Sequence, residues 1–476
     1  MNATQPSDGR RLPAVRTDAH GKRHVDLRAV VVLALPLFIN SGIQALLNLT
    51  DTWFIGRLST DATAAIGATY WFLIVAILFF GGTGLAVQTF AAQAYGAGDN
   101  RAAGRVAWAG MLGALLVAPA FVAIALLGPR LVGALGLAPH VEGMAVDFWF
   151  PRALGGVFAV GIWSVTGFFN GTGRTRVTLV VMSFVAVLNA GLNQLFIFGF
   201  GWGVAGAGWA TTTALAAGNV LALWLIAGRA IDREYHTRAS WRDAHRDLAR
   251  LLRVGFPIGL FPAIDVTGLA MFQAMQASAG AIGGAATQIV MMLTSLAYLP
   301  TMGFALAGTT LVGQSIGAGD KDWAARVGNA TIALAVGYMG LVTLFLALVG
   351  PWLLPLFVNP ADPHAAQVIA LGRTLLWFAA GYQIFDGLNL GAGFCLRGAG
   401  DMRVPTLALI VLSLCVFVPL THMATFAPGG GWVGFLPQFG FGTVGAWAVA
   451  LVYTCLLGSL LWLRWRSGAW RRISLG

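Results

Sequence analysis

The chain has 476 residues, of which 58% are hydrophobic and only 10% are charged. Because soluble domains carry about 25% charged residues, this composition excludes an ordinary soluble protein. The formal net charge of +11 would suit a nucleic-acid-binding surface. The basic residues lie between long apolar blocks, however, and this placement excludes nucleic acid as a partner.

Apolar blocks of roughly 20 residues or more follow one another along the chain. This is the length that a helix needs to cross about 30 Å of hydrocarbon. We therefore predict an all-α integral membrane protein that lies in the lipid bilayer. Its twelve transmembrane helices are predicted at about 29–56, 63–92, 104–127, 144–169, 176–199, 204–228, 250–279, 285–314, 327–349, 366–395, 404–426 and 443–463.

The distribution of Lys and Arg predicts the orientation of these helices. With the N-terminus in the cytoplasm, 25 of the 29 basic residues fall in the two tails or in the loops after even-numbered spans, where Arg397 is placed in the loop after span 10. This is the positive-inside pattern, and a missing span would invert it. We predict a multi-pass protein of the cell inner membrane with cytoplasmic termini. Its N-terminal tail at 1–28 would be disordered, and cytoplasmic segments would lie at 229–249 (linker) and 464–476 (C-terminal tail).

An internal repeat divides the chain into two similar halves. At an offset of 221 residues, the Gly-Ala-Gly-Asp block at 96–99 aligns with the block at 317–320. The same offset aligns Pro36 with Pro257. Proline inside a helix removes a hydrogen bond and kinks it, so both prolines are predicted to kink their helices and to serve in gating.

A second repeated block gives the same division. Residues 170–176 align with residues 397–403 at an offset of 227. Because each half holds an even number of spans, both halves face the same way and a pseudo-twofold axis runs along the membrane normal. The repeat predicts an N-lobe at 29–228 and a C-lobe at 250–463.

Three carboxylates fall inside the predicted spans, at Asp51, Asp265 and Asp386. A charged Asp at the bilayer centre costs about 2.5–3.5 kcal/mol, so each should face a partner or a wet cavity. Helical rise places Asp265 and Asp386 roughly 16–18 Å from the cytoplasmic edge, near the midplane, where they would form one cluster. Two close carboxylates are costly to ionise together. The pair therefore suits either proton exchange or a bound cation such as sodium.

Asp51 lies closer to the outer surface, at a depth of roughly 9 Å. Asn193 of span 5 lies at a similar depth, and Asn189 lies one turn deeper on the same face. Gln44 lies about two turns below Asp51. These residues predict a polar substrate pocket in the first half. Two alternatives stay open: Asp51 would pair with Arg57 at the interface, or the amides would serve only as interhelical hydrogen bonds.

The chain resembles the multidrug and toxic compound extrusion (MATE) transporters over about residues 29–470, and their NorM-like branch in particular. Single motifs are weak, but their order and duplication are specific. They are Pro36 with Asp51-Thr52-Trp53-Phe54-Ile55-Gly56, the blocks at 96–99 and 317–320, Leu188-Asn189-Ala190-Gly191-Leu192-Asn193, Pro257 with Asp265, and Asp386 with Leu396-Arg397-Gly398-Ala399-Gly400-Asp401.

The resemblance implies a V-shaped pair of six-helix lobes. It also implies a monomeric antiporter that exports lipophilic, cationic organic compounds in exchange for inward H⁺ or Na⁺. On this resemblance, Asp265 and Asp386 match the cation-coupling positions, with Tyr298 as a cation-contacting aromatic. Asp51 matches the acidic position of the first helix. The DinF-like pattern carries a second acid near the place of Asn193, so coupling through two carboxylates of the first lobe is not expected here.

Two other functions are weighed against drug antiport. A flippase for lipid-linked oligosaccharides, or another metabolite exporter of the same superfamily, would have a more basic cavity. A membrane enzyme would need a catalytic motif such as His-Glu-x-x-His, which the sequence lacks, or a Ser, His and Asp set at the middle of the spans, which is not found. No cofactor, metal centre or ATP site is predicted, so an ion gradient would supply the energy, with Na⁺ at Asp265 and Asp386 as the one metal ion considered.

Overall fold

The structure is a computed structural model that describes residues 12–358 and 363–475. Long helices dominate it, as the apolar blocks predict. Within the described residues they are α1 Leu27–Gly56, α2 Thr60–Phe80, α3 Gly82–Gly96, α4 Asn100–Gly133, α5 Pro139–Gly171, α6 Thr175–Asn193, α7 Gly203–Ile226, α8 Arg229–Tyr235, α9 Thr237–Ser240, α10 His245–Ala279, α11 Ala281–Gly317, α12 Lys321–Leu348, α13 Gly350–Leu353, α14 Ala365–Ala399, α15 Arg403–Ile410, α16 Val418–Thr425 and α17 Gly442–Arg466.

The helices confirm the predicted membrane architecture. Eleven of those described are long and apolar enough to cross a membrane. Helix α11 makes a twelfth when its two parts, bent by 47° between Ser295 and Tyr298, are counted as one span. Helices α2 and α3 meet at Gly81 and together make up the second predicted span. The protein is therefore an all-α integral membrane protein.

Two π-helical segments occur in the described part of the chain, and both lie in the fifth span of a half. Gln194–Gly199 continues α6, and Val411–Phe417 joins α15 to α16. Such π-bulges in α-helices are frequent at functional sites. Their matching positions are a further trace of the internal repeat.

The prediction of a disordered N-terminal tail is wrong for residues 12–28. Val15–Thr17 and Arg23–Val25 form an antiparallel hairpin, and Asp26 caps the first helix. The hairpin packs on α12 of the second half, where Trp323 Nε1 donates a hydrogen bond to the Pro13 carbonyl oxygen at 2.9 Å. The tertiary contact stabilises strands that are too short to show a periodic pattern. Residues 1–11 of the predicted tail lie outside the described residues.

The ends of two helices differ from the predicted boundaries. Helix α10 begins at His245, inside the predicted linker, and Asp247 in its first turn pairs with Arg105 of α4. Helix α14 runs to Ala399, so Arg397 is buried inside a helix and is only 7% exposed. The prediction that Arg397 lies in a loop is therefore wrong, because the helix continues past its apolar block.

The first helix of each half packs against the other half. Helix α1 contacts α11 as well as α6, and α10 contacts α2, α3 and α4. Pro36 and Pro257 both lie inside these two crossing helices. Beside Pro257, the backbone of Gly255 packs directly against Gly82, where a Cβ atom on either glycine would overlap with the other chain segment.

The backbones of the two halves also meet where α3 and α11 end. There a Cβ atom on Gly96 would overlap with the Gln314 carbonyl oxygen, and one on Gly317 would overlap with the Gln93 carbonyl oxygen. The two contacts exchange under the offset of 221 residues that defines the repeat. The interface is thus self-complementary, as expected for two halves around a pseudo-twofold axis.

Candidate functional site

A central cavity of about 340 Å³ lies between the two halves. Helices α1, α3 and α5 supply one wall, and α10, α11 and α14 supply the other. Most of its surface is apolar and aromatic, which suits the hydrophobic body of an organic ligand. The polar side chains among its described lining residues are Asn40, Ser41, Gln44, Gln88, Thr166, Asn170, Asp265, Tyr298, Asn389 and Arg397.

Asp265 and Asp386 form one acidic cluster near this cavity. Asp265 and Tyr298 line the cavity, and both interact electrostatically with Asp386. Tyr453 donates a long hydrogen bond to Asp265 Oδ1 at 3.5 Å, and Asn389 donates one to Asp386 Oδ1 at 3.4 Å. Among the described residues, neither carboxylate forms an ion pair. The cluster thus brings together three of the residues singled out from the sequence.

Asp51 lies in a second polar site inside the first half. Asn193 Nδ2 donates to Asp51 Oδ1 at 2.6 Å, and Thr211 Oγ1 donates to Asp51 Oδ2 at 3.1 Å. Asn189 completes the network, since its Nδ2 donates to Thr211 Oγ1 and its Oδ1 accepts from Asn193. Asn189 and Asn193 are fully buried. The structure therefore brings together Asp51 and both amides of span 5.

Gln44 and Arg57 do not belong to this network. Gln44 lines the central cavity, on the same helix as Asn40 and Ser41. Arg57 lies over the Trp53 ring, 5.0 Å from its centroid. It forms no ion pair with Asp51 in the part of the chain that the structure describes. The pocket that the sequence predicts around Asp51 thus lacks Gln44.

Two further partners of Asp51 were missed from the sequence. One is Thr211, which looks like an ordinary helix residue among small neighbours. The other is Arg152 of α5, which interacts electrostatically with Asp51 and with Tyr70. The Nη1 atom of Arg152 is buried and makes no hydrogen bond within the described structure. The sequence signal that could have indicated this residue is the presence of a basic side chain, next to Pro151, inside a predicted span.

The internal repeat shows that the cavity is chemically asymmetric. At the offset of 221 residues Gln44 is equivalent to Asp265, and at the offset of 227 Asn170 is equivalent to Arg397. All four residues line the cavity. In both pairs, the first half carries a neutral amide where the second half carries a charge. Both charges of the described cavity wall therefore come from the second half.

Hydrogen bonds between the halves follow the same symmetry. Thr89 Oγ1 donates to the Arg397 carbonyl oxygen, and Thr310 Oγ1 donates to the Asn170 carbonyl oxygen, both at 3.0 Å. Gln93 Nε2 likewise donates to the Gly398 carbonyl oxygen and Gln314 Nε2 to that of Gly171. These four bonds hold the halves together at the end that carries most of the Lys and Arg residues. We call them the interlobe bonds.

The chemistry available at these sites is binding of ions and organic molecules. A buried carboxylate takes up a proton or a small cation readily, because either one removes the cost of an isolated charge. No group of three or more His, Cys, Asp or Glu residues in the described ranges is arranged to hold a metal ion.

Comparison with known proteins assigns the family. A sequence profile described as MatE matches residues 36–195 and 257–422, one stretch in each half. The multidrug resistance protein NorM of Burkholderia vietnamiensis is 31% identical over 428 residues, covering 87% of this chain and 88% of that protein. A probable NorM of Bradyrhizobium diazoefficiens is 29% identical over 447 residues, covering 93% of both chains.

Solved structures show the same fold. A MATE transporter in complex with MaL6 superposes with a TM-score of 0.80 at 20% identity, covering 93% of this chain and 97% of that one. An outward-facing multidrug resistance MATE transporter gives 0.79 at 20% identity, with coverage of 93% and 96%. A transporter of the same superfamily from Pyrococcus furiosus, described as having a binding pocket of reverse polarity, gives 0.76 at 19% identity, also with coverage of 93% and 96%. The chain belongs to the MATE family and is a multi-pass membrane transporter of the NorM-like multidrug efflux type, not an enzyme.

Proposed function

We propose that this protein is a secondary active antiporter that exports lipophilic, cationic organic compounds in exchange for inward H⁺ or Na⁺. The observation that carries the proposal is the position of Asp265. Its carboxylate lines an apolar cavity between the two halves and interacts with the carboxylate of Asp386. A cationic substrate and a coupling ion would compete for the same negative charge, and this competition is the basis of exchange.

The interlobe bonds support a mechanism of alternating access. They join the halves at the basic end, which the positive-inside rule assigns to the cytoplasm. With both termini on that side, the described arrangement would open to the exterior. Transport would then require the lobes at 29–228 and 250–463 to rock about the cavity, breaking these bonds and closing the outer side. Pro36 and Pro257 lie in the two helices that cross between the halves and would allow them to bend.

The coupling ion would bind at the acidic cluster. Asp386 and Asp265 would take up H⁺, or ligate Na⁺ together with Tyr298 and Asn389. Ion binding from the exterior would weaken the attraction for a cationic substrate and release it outward. Because ions and substrate favour different states, the ion gradient would drive the cycle.

Asp51 would serve a separate step of the cycle. It is already hydrogen-bonded by Asn193 and Thr211 and interacts with Arg152. An ion arriving there would rearrange α1 against α6 and α7. Since α1 also packs on α11 of the other half, such a rearrangement would reach the lobe interface. Gln44 would contact substrate in the central cavity instead.

Export of a lipid-linked oligosaccharide is the alternative, and it requires a cavity that attracts pyrophosphate. Here one carboxylate, Asp265, and one guanidinium, Arg397, face the cavity among its described lining residues. This balance does not make the cavity basic. It favours organic cations over substrates with several negative charges.

The test is transport by the purified protein in liposomes. The probe is the ethyl ester of rhodamine B, which is a permanent lipophilic cation. We expect the dye to accumulate against its own concentration gradient when the gradient of the coupling ion, H⁺ or Na⁺, is imposed. We expect no accumulation when both ion gradients are collapsed. Failure of both gradients to drive transport would overturn the proposal. Vesicles without protein control for passive uptake of the dye.

A further inference from the structure

We propose that the central cavity prefers zwitterionic organic substrates, with a carboxylate bound by Arg397 and the cationic part directed towards Asp265. This inference rests on the proposed function, because it names the substrate class of the same cavity. The observation that carries it is the Arg397 side chain, because no carboxylate of the described residues neutralises its charge.

Arg397 is a buried cation that has no acidic partner among the described residues. The residue is only 7% exposed, yet it lines the cavity beside Phe394. One guanidinium nitrogen, Nη2, donates to the Leu85 carbonyl oxygen at 2.6 Å, whereas Nε is buried and makes no hydrogen bond. Within residues 12–358 and 363–475 no carboxylate forms an ion pair with it. Burying a charge without a counter-charge is costly, so a ligand that supplies an anion would be strongly favoured.

The interlobe bonds do not explain why this residue is an arginine. Thr89 bonds the backbone carbonyl of Arg397, and Thr310 bonds the backbone carbonyl of Asn170 in the same way. Both contacts use main-chain oxygen atoms, and the first half makes its contact with an asparagine. An amide therefore suffices for the backbone contact at this position. Only the second half carries a guanidinium at this position.

The two charges of the cavity wall are well placed for one bipolar ligand. Arg397 follows Asn389 by eight residues and Asp386 by eleven in α14, which corresponds to roughly 12 Å and 16 Å along the helix. Asp265 interacts with Asp386 and so lies near the far end of this stretch. Phe261 and Phe394 line the cavity as well. A drug-sized aromatic body with opposite charges on opposite sides fits this arrangement.

Arginine is the side chain best suited to hold the anionic end. Its planar guanidinium presents several N–H donors in a fixed fork that matches the two oxygens of a carboxylate. In a site away from water such a charge-assisted pair is stronger than at a surface. A neutral ester in place of the carboxylate would forfeit this interaction while keeping the same apolar body.

The experiment compares rhodamine B, a zwitterion with a free carboxylate, with its ethyl ester, a cation of the same shape. Fluorescence anisotropy with the purified full-length protein gives a Kd for each dye, and their ratio isolates the contribution of the carboxylate. We expect the wild-type protein to prefer the zwitterion. Arg397→Gln should reduce this preference at least tenfold, and Arg397→Lys, which keeps the charge, should restore part of it. Arg466→Gln, at the end of α17, is the matched control.

Three outcomes would overturn the inference. They are an unchanged ratio in Arg397→Gln, an equal loss of affinity for both dyes, and no recovery with Arg397→Lys. The equal loss would mean that Arg397 only holds the halves together through Leu85. Because the readout is a ratio of binding constants, it is independent of ion coupling. If the ester binds but no gradient drives its transport, the proposed antiport fails while the preference for zwitterions stands.

Discussion

Gly317 and Gln93 meet across the interface between the two halves with no room for a side chain, since a Cβ atom on Gly317 would overlap with the Gln93 carbonyl oxygen. The overlap involves backbone, so it cannot be relieved by turning a flexible side chain. Gly96 and Gln314 repeat this contact by internal symmetry. Closure at this end therefore depends on two glycines.

Gly317→Val should weaken the closed arrangement. Forcing extra atoms into a packed contact costs about 1–3 kcal/mol, and here relief requires the halves to separate. We expect a lower melting temperature and at least a severalfold loss of gradient-driven transport, and Gly96→Val should do the same. Gly337→Val, in α12 where nothing lies within 4 Å of an added Cβ atom, is the control. Equal behaviour of Gly317→Val and Gly337→Val would contradict a closure based on this contact.

Asp386→Asn should abolish ion-driven export while leaving insertion intact. The amide keeps the shape of the side chain and is easier to bury than a charge, but it neither takes up a proton nor neutralises a cation. We expect at least a tenfold drop in dye transport in proteoliposomes at unchanged protein abundance in the membrane. Asp61→Asn, at a half-exposed position next to His140, is the control. Undiminished transport by Asp386→Asn would remove this residue from the coupling site.

Trp323→Phe should loosen the N-terminal hairpin. The substitution removes the hydrogen bond to the Pro13 carbonyl oxygen, worth about 0.5–1.5 kcal/mol. Limited trypsin digestion reports the effect, because Lys22 and Arg23 lie at the hairpin. Cleavage there should become severalfold faster, whereas Trp202→Phe, at a half-exposed position in the first half, should leave it unchanged. Equal cleavage rates in both variants would mean that this bond does not hold the hairpin.

The acidic cluster was predictable because its signals are local. Asp265 and Asp386 stand out in apolar blocks, and a constant helical rise fixes their depth relative to the basic loops. Two residues at the same depth in the helices of one half can meet around a shared cavity. The same reasoning placed Asn189 and Asn193 beside Asp51. It fails for Gln44, because depth alone does not tell which face of a helix turns towards the other half.

Contacts between distant segments were not predictable in this way. The Arg152 side chain interacts electrostatically with Asp51 from another helix of the first half. Nothing in the pattern around Pro151 indicates the direction in which this side chain points. Arg397 was misplaced for another reason. Charge marks the end of a hydropathy block, whereas the helix ends only at Ala399, before a glycine in the left-handed conformation at Gly400. The sequence repeat nevertheless aligns Arg397 with Asn170, and this alignment agrees with the position of both residues in the cavity wall.

The link between Asp51 and Arg152 leads to the last prediction, which a double-mutant cycle tests. Asp51 and Arg152 attract each other electrostatically without forming an ion pair among the described residues, and each substitution removes this attraction. Asp51→Asn and Arg152→Gln should therefore each lower the free energy of unfolding. The double variant should be more stable than the sum of the two losses predicts, by at least about 0.5 kcal/mol, since residues that interact electrostatically are not additive. Thermal unfolding in detergent provides the comparison.

Asp51→Asn combined with Arg57→Gln is the matched control. Arg57 lies over Trp53 instead, so the effects of these two substitutions should be additive. Coupling of Asp51 to Arg57 but not to Arg152 would make Arg57 the partner of Asp51 and would refute the link to Arg152.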